Sequence, residues 1–151
     1  MRVHIAADHA GFELRNYLIE MLEKEGHEVV DHGAKEYDAL DAYPTMCIPC
    51  AEAVAKEPES LGIVIGGSGN GEQMAANLVD GVRAALVWNE ATAALAREHN
   101  DANVISIGAR QHTLEEAASF VKVFLATPFS KEQRHADRIA LMTDYENARC
   151  K

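Results

Sequence analysis

Ile63-Val64-Ile65-Gly66-Gly67-Ser68-Gly69-Asn70-Gly71-Glu72 is the stretch on which the reading of this chain turns. Its first three residues are β-branched and apolar, the signature of a short buried strand. Four glycines follow within the next six residues, and a helix is predicted around Gln73–Leu78. Strand, glycine turn and helix in that order make the first half of a βαβ unit. Working outward, the same alternation recurs. Val3–Ala7 reads as a first strand, Glu28–Asp31 as a short second, Ala84–Trp88 as a fourth and Val104–Ile107 as a fifth. Between them lie helical patterns. Leu14, Leu18, Met21 and Leu22 share one helix face, with Gly26 as its stop. A loop to Asp41 precedes a helix to about Lys56, ended by Pro58, and another helical stretch closes on Arg97-Glu98-His99-Asn100. Thr113…Glu116 and Ser130…Gln133 both match the capping box, so two C-terminal helices are expected to start there, the last over about 131–149. Strands alternating with helices predict an α/β fold with a five-stranded parallel sheet covered on both faces. Ligands of such sheets gather beyond the carboxyl ends of the strands.

The composition narrows the function. At 151 residues, 48% hydrophobic and 25% charged, the chain fits one globular domain spanning 1–151. With 24 acidic against 14 basic residues the net charge is −10, which opposes general binding to nucleic acid or an anionic membrane. It leaves room for a small anion held by a few arginines. No run approaches the roughly 20 apolar residues of a membrane span, and Met1–Asp8 lacks a secretory apolar run, so a cytoplasmic protein is expected. Three cysteines, Cys47, Cys50 and Cys150, do not suggest a disulfide framework. Cys47-Ile48-Pro49-Cys50 has redox spacing but falls within a helical stretch, where Pro49 marks a kink or a late start. His4, His27, His32 and His112 show no metal-ligand spacing, and no metal is expected.

Three groups follow strands and therefore share one edge of a parallel sheet: Asp8-His9-Ala10-Gly11, Gly66 to Glu72, and Gly108-Ala109-Arg110. Glycines free to adopt positive φ turn backbone N–H groups inward, and a helix N-terminus behind them adds more, a cradle for an oxyanion. The same glycines also fit a plain tight turn. No Gly-Lys-Ser/Thr follows, and the third glycine of the dinucleotide fingerprint is missing. Glu72 beside the cradle suits a proton-abstracting base, best if burial lifts its pKa from about 4.3 toward 6–7. Taken alone, it more readily suits a structural helix N-terminus. His99 and Asn100 close a helix. Arg134 and Arg138, four apart, project from one helix face and with Arg110 offer guanidinium forks for phosphate, or a solvated surface.

In their order along nearly the whole chain, these motifs, with Tyr43-Pro44 and Arg134-His135-Ala136-Asp137-Arg138, resemble type B ribose-5-phosphate isomerase. The resemblance implies a Rossmann-like three-layer α/β/α sandwich, a homodimer with each active site shared between subunits, and the C-terminal helix packed at that interface. It implies interconversion of ribose 5-phosphate and ribulose 5-phosphate through a cis-enediolate, with no metal or organic cofactor. Related members act on four- or six-carbon sugar phosphates, and the loops around Tyr43 and Ala109 would set that length. In many members a cysteine at the end of the third strand is the base. Here that position is Gly66, and the chain is similar to the actinobacterial branch, in which the glutamate matching Glu72 serves. By the same resemblance His99 opens the sugar ring and Asp8, with Tyr43, orients the hydroxyls. Gly67, Ser68, Gly69, Asn70 and Gly71 hold the enediolate, Asn100 contacts substrate, and His9, Arg110, Arg134 and Arg138 hold the phosphate.

Overall fold

The computed structural model describes residues 1–149; Cys150 lies outside them. Five strands, β1 (Arg2–Ala7), β2 (Glu28–Asp31), β3 (Leu61–Gly66), β4 (Ala84–Leu86) and β5 (Val104–Gly108), alternate with helices. The helices are α1 (Phe12–Lys24), α2 (Pro44–Lys56), α3 (Asn70–Ala76), α4 (Glu90–Asn100), α5 (Leu114–Ala126) and α6 (Gln133–Arg149). All strand pairs are parallel, in the order β2-β1-β3-β5-β4.

Side-chain alternation along the strands builds two cores. Ile5, Ile63, Ile65, Ile105 and Ile107 point to one face and are fully buried with Leu18 and Leu22 of α1, Ala93 of α4, and Val121 and Phe124 of α5. Each such isoleucine contributes about 1.5–3 kcal/mol of burial free energy. The opposite face carries smaller groups, Ala6, Val64 and Val104, under α2 and α3. Small residues there let α2 sit close: a Cβ at Gly62 would lie 2.8 Å from Val54.

The order of the strands places the site. From β1 the chain moves outward to β2, and β3 then pairs with the other side of β1. The helices that leave β1 and β3 therefore cover opposite faces, α1 in one core and α3 in the other. Where they diverge, the carboxyl ends of β1 and β3 frame a crevice, the switch point of a doubly wound sheet.

Several boundaries differ from those predicted. Trp88 lies beyond β4, which stops at Leu86. α3 starts at Asn70, directly off the glycine loop, rather than near Gln73. α2 runs unbroken through Pro49, with Pro44 in its first turn. Ser130 does not cap α6: Lys131 adopts φ +60, Ser130 Oγ accepts from the Glu132 N–H, and the helix begins at Gln133. Thr113 does cap α5, accepting from the Glu116 N–H, but the Glu116 carboxylate sits 3.5 Å from His112 instead of completing the box. A reciprocal box forms at α4, where Asn89 accepts from the Thr92 N–H and Thr92 Oγ1 accepts from the Asn89 N–H.

Candidate active site

At the crevice, the end of β3 turns through Gly66–Gly69 into α3. Gly69 carries φ +84, and a Cβ on it would lie 2.8 Å from Leu86 Cδ1 and 3.0 Å from the Ile107 carbonyl carbon, so only glycine fits. The buried Ser106 hydroxyl donates to the Gly69 carbonyl at 2.7 Å. Backbone bonds to β5's exit brace the other side, Ala109 N–H to Gly66 O at 2.8 Å and Arg110 N–H to Gly67 O at 3.1 Å. The N–H groups of Gly67, Ser68 and Gly69 find no acceptor among the described residues. This is the preorganised donor set that an oxyanion needs.

Glu72, in the first turn of α3, is only 4% exposed. Its carboxylate lies in the space that a side chain at Gly66 would fill: a Cβ built there would collide with all three carboxylate atoms. A residue six positions along the chain thus delivers its functional group to the end of β3. Burial pushes the Glu72 carboxyl above the ordinary carboxylate value, the Asp8 charge adds to that, and Glu72's own backbone N–H opposes it. A buried carboxylate with raised proton affinity can take a proton from carbon and return it.

Asp8 is 8% exposed and caps the short 3-10 turn His9–Gly11, Oδ1 accepting from the Ala10 N–H at 2.9 Å and the Gly11 N–H at 3.3 Å. The Tyr43 ring lies over the loop from the α2 side, 2.5 Å from where a Gly71 Cβ would stand. Arg110 lies over its other end, Nη1 being 3.2 Å from a Cβ position on Gly67. His9 is held by Asp41, whose Oδ1 accepts from both its backbone N–H and its Nδ1, each at 2.9 Å. Asp8, His9, Tyr43, the loop Gly67–Gly71, Glu72 and Arg110 are therefore brought to one edge of the sheet.

His99 and Asn100 are not. They end α4, and β5 begins after three intervening residues, so they lie at the amino-terminal edge of the sheet, with the Asn100 carbonyl bound by Arg83 just ahead of β4. α6 starts beside them: the His135 ring stacks on His99. Arg134 is exposed and paired with Glu132 at 3.0 Å, and Arg138 is exposed one turn on. Within one chain, the candidate residues thus form two groups at opposite ends of the parallel strands.

Two useful residues carried little sequence signal. Ser106 was legible only as a polar residue in an apolar strand, and Asp41 as one acid in a polar loop. Cys47 and Cys50 are free and buried, and burial pushes the Cys47 thiol up to about 12, with Glu72 and Asp8 adding to the effect. A thiol held protonated so strongly is a poor nucleophile.

A match to the family described as Ribose/Galactose Isomerase covers residues 3–142. The chain belongs to the ribose/galactose isomerase family. Among relatives in that family, ribose-5-phosphate isomerase B of Mycobacterium tuberculosis is 56% identical over 146 residues, 97% of this chain and 90% of that protein. Ribose-5-phosphate isomerase B of Mycoplasma genitalium, solved with bound ribulose 5-phosphate, aligns with a TM-score of 0.93 at 42% identity, covering 97% of this chain and 96% of that one. The enzyme of Clostridium thermocellum aligns with a TM-score of 0.92 at 39% identity, covering 98% and 99%. These family members share the three-layer arrangement of one parallel sheet between two helical layers, the Rossmann-like α/β sandwich expected from the sequence.

Proposed function

We infer that this isomerase-family chain interconverts D-ribose 5-phosphate and D-ribulose 5-phosphate. The observation that carries the reading is the buried Glu72 carboxylate set against a loop of free N–H groups, in a chain 56% identical to a ribose-5-phosphate isomerase B. In this reading Glu72 removes the C2 proton of the open-chain aldose and returns it to C1. The negative charge that develops on oxygen between these steps is met by N–H groups of Gly67 to Gly71. One such donor is worth roughly 3–4 kcal/mol of barrier. Asp8 and Tyr43 orient hydroxyls from either side, and His99 protonates the ring oxygen to open the furanose while Asn100 contacts the substrate. His9, Arg110, Arg134 and Arg138 hold the phosphate. Asp41, by accepting from His9 Nδ1, leaves Nε2 to face it.

The reading includes a homodimer whose sites are shared, the whole chain being one isomerase domain with α6 at the interface. Its support is the separation of the two residue groups: a second copy must bring His99, Asn100, Arg134 and Arg138 to the glycine loop. The exposed apolar residues Met74, Leu78, Trp88, Leu141 and Met142 supply a surface for that contact. Net charge −10 argues against nucleic acid as a partner, and among the described residues no helix is long and apolar enough to cross a membrane. Free Cys47 and Cys50 suit the reducing cytoplasm.

Proton NMR of ribose 5-phosphate with the protein in D₂O tests the function. Growth of ribulose 5-phosphate signals with loss of the aldose C2 proton supports an enediolate route. No product from ribose 5-phosphate, with turnover of a four- or six-carbon sugar phosphate, would reassign the substrate.

A further inference from the structure

The first turn of α6 meets the last turn of α4 through two imidazoles. The rings of His99 and His135 lie 4.2 Å apart between centroids at an interplanar angle of 15°. His135 is 4% exposed, and its Nε2 has no hydrogen-bond partner among the described residues. The nearest carboxylate oxygen, Glu132 Oε2, stands 3.8 Å away, beyond hydrogen-bond reach. Packing alone would favour an apolar ring at such a position, because burying an unpaired nitrogen costs free energy that a phenyl ring does not. The feature that distinguishes this histidine is the ring it covers.

We propose that His135 is a positioning residue for His99, its ring face fixing the orientation of the His99 ring. This rests on the reading of His99 as the ring-opening acid. The surroundings disfavour a charge on the covering ring. Burial, then His99, Arg134 and Arg138, hold His135 below the ordinary histidine value, and only Glu132 opposes them. On the α4 side His99 is 37% exposed, with Glu98 Oε1 3.9 Å from its Nε2.

Two measurements separate this from a structural role. The first compares turnover of ribose 5-phosphate with exchange of the ribulose 5-phosphate C1 proton in D₂O, which starts from an open chain and needs no ring opening. In His135→Leu, turnover should fall about ten-fold or more through loss of alignment while C1 exchange stays within about three-fold. His135→Phe, which keeps a flat ring, should recover most of the turnover. Equal losses in both reactions, or no recovery with Phe, would overturn the positioning role. The second follows the histidine Cε1 proton resonances across pH. The His135 midpoint should lie below the ordinary histidine value and rise in His99→Asn. A His135 midpoint unmoved by His99→Asn would show that the two rings do not interact and would overturn the proposal. Full ribose 5-phosphate turnover in His99→Asn would instead remove the ring-opening role itself, a result the resonance shifts do not depend on.

Discussion

In the proposed function Glu72 meets two opposed requirements. A base has to be ionised, yet the Glu72 site at the end of β3 is nearly dry and shared with Asp8. Its pKa is raised in the fold, so the fold favours the protonated form. That contribution is complete below the unfolded value of about 4.3 and is lost as pH rises through the folded value. At neutral pH the ionised Glu72 therefore weakens the fold. Glu72→Gln should lower kcat by about 10²–10⁴-fold, the range for a positioned acid–base group, while leaving phosphate inhibition intact. The same variant should melt a few degrees above the wild type at pH 7.5, with the gain shrinking at pH 4, as calorimetry at the two values will show. Turnover by the wild type should fall on the acid side as Glu72 takes up its proton. Ser106 acts at one remove, through the Gly69 carbonyl. Ser106→Ala removes one of two donors to that carbonyl, the Gln73 N–H remaining at 3.0 Å, and should cost about 0.5–1.5 kcal/mol in denaturant unfolding. Its kinetic signature is a fall in kcat exceeding any rise in KM, because the displaced N–H groups meet the charge that develops during reaction.

Among elements, α6 is the least explained by its own chain. It has 17 residues, yet only His135 is buried, while Leu141 and Tyr145 are 69% and 73% exposed. A helix so lightly packed stays helical in isolation only marginally, and its apolar side calls for a cover. Arg134 and Arg138 leave its first turns toward solvent rather than toward the glycine loop of their own chain. Arg134→Ala and Arg138→Ala should each raise KM by about 10–100-fold, as loss of a charged hydrogen bond of about 1.5–3 kcal/mol implies, and should weaken inhibition by inorganic phosphate. Unchanged phosphate inhibition in both would free these arginines of the clamp role. The element ends show how local signals compete. Ser130 had the spacing of a capping box, but Lys131 turned left-handed and the hydroxyl closed a shorter loop. At α4 a box formed from Asn89 and Thr92, a pairing outside the Ser/Thr-to-Glu/Gln pattern.

At the scale of the molecule, the two residue groups at opposite strand ends make a quantitative prediction. Mixing inactive Glu72→Gln and His99→Asn chains, after unfolding and refolding together, should restore about a quarter of wild-type activity: half the dimers are mixed, and each mixed dimer has one intact site of two. Sites complete within one chain would restore none. Trp88→Glu and Met142→Glu, placing charges on the exposed apolar surface, should shift the chain toward monomer in sedimentation and lower activity in step.

The strand-by-strand alternation, the parallel sheet and the three post-strand groups were legible because each rests on local patterning: apolar runs, glycine turns and spacing along one helix face. The glycine loop and the carboxylate beside it were legible for the same reason, since Gly66 to Glu72 are contiguous. The resemblance added His99, Arg134 and Arg138; alone, His99 reads as a helix-end histidine and the two arginines more readily as solvated surface. What no local pattern encodes is the space at Gly66 that receives the Glu72 carboxylate, the hold of Asp41 on His9 and of Ser106 on Gly69, and the stack of His135 on His99. Each joins residues from separate elements, whose approach depends on strand order and on how closely the helices settle on the sheet. Sequence by itself determined which groups end each strand; tertiary structure decided which of them meet, because in a parallel sheet every strand end is an edge position and only packing selects its neighbours.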